Sequence, residues 1–284
     1  WDEVSVHATT GATSVVVEGE GAGNVEQGED NLVVRALRLA LDRVGAPQVG
    51  VRMHCTNRIP HSRGLGSSAS AIVAGVTLAR ALIGDADVLG RQEILEIGSQ
   101  MEGHPDNVAP AVFGGATVSW MNEETSEVGS VRLTPPEGIS PVAFIPDFEL
   151  RTAAARAALP ATVPHGDASF NVARGALLAA VLSGNAQASG GADLHALLME
   201  ATRDRLHQEQ RRAAMEPSLA LVDWLRGAGF AAVVSGAGPT VLSLESVGAD
   251  ILRDAAAAGW RVVPMGVAPQ GVQITRGSLS KVEF

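Results

Sequence analysis

Apolar and polar residues alternate along residues 49–56. Val49, Val51, Met53 and Cys55 fall on one side, and Gly50, Arg52 and His54 on the other, which is the period of a half-buried strand. Shorter runs at 4–9 and 14–18, parted by Gly11, predict two more strands. A helical period replaces the alternation in residues 32–44, where Val33, Leu37, Ala40 and Val44 share a stripe and Arg35, Arg38 and Asp42 face away. Asp30 or Asn31 suits its N-cap, and Gly45 and Pro47 end it. A second helical stripe, Ile72, Val76, Ala79 and Ile83, fades at Gly84, and a further helix is predicted over about 89–101. Strands are expected up to Trp120, at 131–133 and at 142–145, with polar loops at 19–31 and 122–128.

From Asp147 onward the texture becomes alanine-rich. Helices are predicted at 152–159, 167–182, 194–207, 219–225 and 249–258, and strands at 230–234, 241–244, 261–265 and 272–275. A strand-rich first half and a second half of helices and sheet predict an α+β chain of two units, divided as 1–145 and 146–284.

The length of 284 residues allows a sizeable core and two domains. A hydrophobic share of 46% with 18% charged residues matches a globular chain. The net charge of −10 argues against a nucleic-acid surface as the main function, though not against a local basic pocket for phosphate. A single cysteine, Cys55 on the apolar side of its strand, reads as a core residue and cannot form an intrachain disulfide. No apolar run reaches the roughly 18 residues of a membrane span, and no secretory signal pattern is read. The expectation is therefore a cytoplasmic protein that engages neither membrane nor nucleic acid.

Three places could carry chemistry. The first is the turn Ile-Pro-His-Ser-Arg-Gly-Leu-Gly-Ser-Ser-Ala-Ser-Ala at 59–71, between strand and helix. Gly64 and Gly66 permit backbone angles closed to other residues, and Ser67 and Ser68 sit where a helix N-terminus attracts anions. The turn reads either as a capped loop or as a phosphate cradle. It is neither a Walker A loop nor a clean dinucleotide fingerprint. The second is Glu-Gly-His-Pro-Asp-Asn at 102–107. Glycine and proline there fit a helix stop, while the crowd of Glu, His, Asp and Asn fits a site for a hard cation beside phosphate. The third is Ser-Gly-Ala-Gly-Pro-Thr at 235–240, either a tight strand connection or a second loop closing on a ligand. Arg151, Arg156, Arg205, Arg211 and Arg212 are ordinary surface cations or, for one or two of them, partners of an anionic substrate.

Taken together, Pro-x-x-x-Gly-Leu-Gly-Ser-Ser-Ala-Ser, Glu-Gly-His-Pro-Asp-Asn-Val-Ala-Pro followed by Phe113-Gly114-Gly115, Phe170-Asn171-Val172-Ala173-Arg174, Asp204-Arg205-Leu206-His207-Gln208 with Arg211, and 235–240 resemble the GHMP kinases, and within them the homoserine kinases. The resemblance implies a two-domain fold: an N-terminal ATP-binding domain of ribosomal S5-like form, and a C-terminal ferredoxin-like α/β sandwich. It implies ATP and Mg²⁺ as cofactors and L-homoserine as the small-molecule substrate, phosphorylated on its side-chain hydroxyl in threonine biosynthesis. A homodimer is a family habit that it brings along. Pro60, Arg63, Gly64, Leu65, Gly66, Ser67, Ser68 and Ala69 match the ATP phosphate loop, and Asn31 a position near the adenine. Ser68 and Glu102 match the metal ligands. His104, Asp106, Asn107, Thr152, Arg156, Arg211, Gly236, Ala237 and Gly238 match the substrate site, with Asn107 and Arg156 in catalytic positions.

Relatives such as the mevalonate kinases carry an aspartate base where Asn107 stands, so the γ-phosphate itself is the expected proton acceptor. Two departures are visible. The family's opening motif, similar to Pro-Ala-Thr-Ser-Ala-Asn-Leu-Gly-Pro-Gly-Phe-Asp, would precede Trp1, and Glu209-Gln210 stand where relatives often have Pro-Tyr. Alternatives are another small-molecule kinase of the family, of mevalonate type, or a non-catalytic ligand-binding member.

Overall fold

The computed structural model describes residues 1–85 and 87–275, and they form two compact units that interleave in sequence. The first takes residues 1–58, 68–130 and the segment from 269; the second takes 59–67 and 131–268.

In the first unit, β1 (Glu3–Thr9), β2 (Ser14–Gly19) and β3 (Gly50–Asn57) form a sheet of order β1-β3-β2. The central strand is the one with the strictest alternation. It runs antiparallel to β1, with Val6 opposite Met53, and parallel to β2, with Val17 opposite Cys55. Parallel neighbours need a crossover, and α1 (Leu32–Arg43) supplies it between β2 and β3. Asn31 caps this helix: its Oδ1 accepts from the Val33 N–H at 3.0 Å, and its Nδ2 donates to the Glu26 carbonyl at 2.8 Å. Met53 and Cys55 share one buried cluster with Val34, Leu37 and Leu41 of α1 and Ile72, Val73 and Val76 of α2 (Ser67–Ile83), and Val51 is buried as well. Burial pushes the Cys55 thiol up to about 11, as befits a core residue.

The unit continues with α3 (Arg91–Glu102), α4 (Val108–Phe113) and β4 (Ala116–Met121), which pairs with β5 (Val128–Leu133). One element is added here and one expectation corrected. Residues 108–113 form a helix that contains Pro110. It is the third residue of the helix, where an N–H has no intrahelical acceptor to lose. Residues 272–275 form no strand. The Val272 N–H donates to the carbonyl of Ala111 in α4 at 2.8 Å, and Gly271 lies against the backbone of Ala111 and Val112, so a helix end replaces the strand partner.

The second unit is built on a sheet of order β7-β8-β6-β9, from β6 (Val142–Ile145), β7 (Ala232–Val234), β8 (Val241–Ser243) and β9 (Arg261–Pro264). β6 is antiparallel to both β8 and β9, and all four of its residues are buried, as its unbroken apolar run requires. Phe144 packs with Leu221, Val222 and Leu225 of α8 (Glu216–Gly227) and with Ile251 and Ala255 of α9 (Ala249–Ala257). The remaining helices are α5 (Thr152–Ala157), α6 (His165–Leu182) and α7 (Leu194–Ala201). The last stops six residues short of the expected 207: residues 203–208 wrap around the Asp204 carboxylate instead, and a 3-10 turn, Glu209–Ala214, follows. Among the described residues no helix is long and apolar enough to cross a membrane.

One polar cluster ties the approach to α1 down. The Arg38 guanidinium donates to both Glu29 oxygens at 3.0 and 2.9 Å, to Thr13 Oγ1 at 2.8 Å and to the Val49 carbonyl at 2.6 Å. These bonds from Arg38, helped by Thr13, hold the Glu29 carboxyl at about 2, below its ordinary 4.5. A carboxyl lowered on folding contributes stability above its unfolded value, and that contribution drains away as pH falls through the folded value. Glu29→Gln should therefore cost about 0.5–1 kcal/mol at pH 7, and the difference from wild type should shrink as pH falls from 4.5 towards 2. Urea titrations at stepped pH measure it, and a difference independent of pH would refute the assignment.

Candidate active site

The turn between β3 and α2 belongs to the second unit. Its φ angles change sign residue by residue, with Ser62 at 53°, Gly64 at 75° and Gly66 at 76° and the intervening residues negative. Such alternation turns successive N–H groups to one side and makes a concavity suited to anions. Carbonyls are taken from behind. Ser62 O accepts from the Leu150 N–H at 3.2 Å, Arg63 O from the Thr240 N–H at 3.2 Å and Gly64 O from Ser235 Oγ at 2.7 Å. A Cβ on Gly64 would fall on the Ser235 carbonyl oxygen and within 2.7 Å of the Gly238 oxygen. Glycine is thus required twice, by φ and by space.

Arg63 serves this loop from within. Its guanidinium donates to the carbonyls of Pro146 at 3.0 Å, His61 at 3.2 Å and Asp147 at 2.7 Å, and lies 3.2 Å from the Glu149 carboxylate. Pro60 is buried.

The 235–240 loop that backs the turn is itself braced. Gly236 and Gly238 have φ of 57° and 86°, and Ser218 Oγ donates to the Pro239 carbonyl at 2.6 Å. Arg211, only 9% exposed, donates through Nε to Ala155 O and through Nη1 to Gly236 O, each at 3.2 Å. Burial pushes its guanidinium below the ordinary value; the Arg156 cation acts the same way and Asp204 opposes. Thr152 and Arg156 are exposed on α5, beside Ala155. Arg211 thus links α5, which carries Thr152 and Arg156, to the loop of Gly236, Ala237 and Gly238.

Within the first unit, Ser68 near the start of α2 and Glu102 at the end of α3 meet, Ser68 Oγ donating to Glu102 Oε1 at 2.5 Å. α3 stops there because Gly103 takes a left-handed φ of 84° and returns its N–H to the Ser99 carbonyl. The next turn is tied by Asp106, whose Oδ1 lies 2.5 Å from His104 Nδ1 and accepts from the Asn107 N–H at 2.9 Å. Asn107 opens α4 and is exposed, with no cap bond from its side chain. Two expected ATP residues have their side chains committed elsewhere. Asn31 spends both ends of its amide on capping α1, and the Ala69 methyl is fully buried in the core.

Donors and acceptors of this kind define what each part can bind. The first unit offers a hydroxyl beside a carboxylate, both hard oxygen ligands. The second offers a backbone concavity with cations nearby. Among the described residues no three His, Cys, Asp or Glu gather as a metal cage. A cavity of about 410 Å³ lined by Gly11, Thr13, Glu29, Arg38, Asp42 and Gln48, among others, contains none of these candidates. The sequence reading named Ser235 and Asp204 only within their motifs and gave neither a role of its own; Ser235 holds Gly64 and Asp204 folds 203–208. The second had a signal, an aspartate followed at two to four residues by the backbone N–H groups it accepts from.

Comparison with known proteins agrees with this picture. Residues 31–115 match the model of the GHMP kinases N terminal domain, and residues 179–260 that of the GHMP kinases C terminal. A homoserine kinase of Streptomyces coelicolor is 42% identical over 276 residues, which cover 96% of this chain and 86% of the relative. One of Corynebacterium efficiens is 43% identical over 275 residues, covering 94% and 85%. The crystal structure of homoserine kinase from Cytophaga hutchinsonii superposes with a TM-score of 0.80 at 22% identity, over 95% of this chain and 87% of that one, which shows the shared fold. Two family models on one chain, and identity above 40% along nearly all of it, lead to one conclusion: this chain belongs to the GHMP kinase family, in its homoserine kinase branch.

Proposed function

We propose that the chain transfers the γ-phosphoryl group of ATP to the side-chain hydroxyl of L-homoserine, giving O-phospho-L-homoserine for threonine biosynthesis in the cytoplasm. The observation that carries the reading is the 42% identity to a homoserine kinase along 96% of the chain. The glycine turn and the Ser68–Glu102 pair supply chemistry that suits it. The two family models fall on either side of residue 145, in keeping with an ATP-binding domain over 1–145 and a second domain over 146–284.

Phosphoryl transfer asks a protein mainly for positioning and charge neutralisation. In this reading the backbone of Gly64, Leu65, Gly66, Ser67 and Ser68 receives the phosphates, with Pro60 and Arg63 keeping the turn in shape. Ser68 and Glu102 fit Mg²⁺ by donor type, since the ion prefers oxygen and commonly takes few protein ligands beside phosphate. Bound there, it would neutralise charge on the transferring group. By the family resemblance, His104, Asp106, Asn107, Thr152, Arg156 and Arg211 are each assigned to orienting the amino acid. The substrate hydroxyl oxygen bonds to the γ-phosphorus as the bond to the β–γ bridging oxygen breaks and ADP leaves. Asn107 has no basic atom, and Asp106 is engaged by His104 and the Asn107 N–H. The hydroxyl proton is therefore assigned to a γ-phosphoryl oxygen.

An ADP-release assay with L-homoserine, mevalonate and galactose tests the assignment. Turnover with L-homoserine alone is expected; turnover only with another acceptor, or tight nucleotide binding without turnover, would overturn it. Glu102→Gln should lower kcat about 100-fold or more and raise the Mg²⁺ concentration needed, while circular dichroism stays unchanged. Unaltered kcat and Mg²⁺ dependence would remove Glu102 from the metal site. Gly64→Ala forces a left-handed alanine, about 1–2 kcal/mol, and pushes the 235–240 loop away. Its expected outcome is a lower Tm and a KM for ATP at least about tenfold higher; an unchanged KM would argue that the turn does not hold the phosphates.

A further inference from the structure

Asp204 has no binding role so far, yet hydrogen bonds converge on both oxygens of its carboxylate. Oδ2 accepts from the His207 N–H at 2.8 Å and the Gln208 N–H at 2.7 Å. Oδ1 accepts from Asn171 Nδ2 at 2.6 Å and the Leu206 N–H at 3.3 Å, and lies 3.0 Å from His207 Nδ1. The side chain is 13% exposed. Burial alone would raise this carboxyl; the donors from His207, Gln208 and Asn171 outweigh it and hold it well below the usual carboxylate range.

What these bonds shape is residues 203–208, and that segment reaches the phosphate turn by a short path. From α6, Asn171 Oδ1 accepts the Arg205 N–H at 2.9 Å, and the Phe170 ring lies 4.0 Å from the Arg205 guanidinium and 3.8 Å from that of Arg174. On the other side, Gln208 Oε1 accepts the Val234 N–H at 2.8 Å, at the point where β7 enters the 235–240 loop. Arg211, three residues on, donates to Gly236 O. Ser235, between those two anchors, donates to Gly64 O. Each link is a directional bond to backbone, so the segment's position is passed on rather than merely packed against.

We propose that Asp204 is a positioning residue for nucleotide binding: it shapes residues 203–208 so that Gln208 and Arg211 hold the 235–240 loop against Gly64. The inference rests on the reading of Gly64–Ser68 as the ATP phosphate turn. Asp204→Asn is the sharp variant, because it keeps shape while setting an NH₂ group against N–H donors on one side or the other.

The test measures ADP binding by titration calorimetry together with steady-state kinetics on the full chain. In Asp204→Asn the dissociation constant for ADP and the KM for ATP should rise about tenfold, with the loss falling on KM rather than on kcat. A merely structural role would lower Tm and leave both constants unchanged, and that result would overturn the proposal. Should Asp204→Asn fail to fold, Gln208→Met removes only the acceptor for Val234 N–H. It should weaken ADP binding about threefold, and an unchanged constant would be equally fatal. If wild type itself binds no ADP, the proposed function fails rather than this inference.

Discussion

The turn at 59–66 lacks a helix or strand of its own, so its backbone polar groups must find partners elsewhere. A buried carbonyl left unpaired costs about 1–3 kcal/mol. Leu150, Thr240 and Ser235 each take one carbonyl of the turn, and Arg63 ties the same stretch to the end of β6. That arrangement dictates the residue types around it. Only glycine fits at 64, small residues fill 235–238, and the strands that present them must end where they do.

In the first unit the same logic works through helix ends. α2 and α1 approach closely at Gly75, where a Cβ would meet Ala36 at 2.7 Å, and α3 meets α4 at Gly98, where one would meet Val108 at 2.6 Å. Close packing sets the helix axes, and the axes set the ends. Ser68 and Glu102 reach 2.5 Å because α2 starts and α3 stops at the same level. Gly103 supplies the stop, and Asp106 then orders the turn that carries His104 and Asn107.

Much of this could be read from residue order. The alternation of β3, the stripes of α1 and α2, the apolar run of β6 and the amphipathic α9 were all legible, because each reports burial of one face through a fixed period. Local punctuation was less reliable. The apolar residues at 272–275 suggest a strand and instead meet the end of α4. α7 carried a helical pattern past Ala201, but Asp204 offered the backbone N–H groups of 206–208 a better acceptor than the helix could. In the site, the glycines, Ser68, Glu102 and the 102–107 block stood out by type and spacing. Arg63 and Asn31 stood out for the same reason, yet their side chains brace the backbone.

Sequence alone determined the elements, the family and the residue types able to hold phosphate and a hard cation, since periods, glycine positions and motif spacing are local properties. Tertiary structure decided which of those residues face each other. It brought Ser68 onto Glu102 from two helices, laid the 235–240 loop on Gly64 across 171 residues of chain, and gave Asp204 a donor from Asn171, 33 residues away. Hydrogen-bond partners far apart in sequence are chosen by the packing of the elements that carry them, and no local pattern encodes that choice.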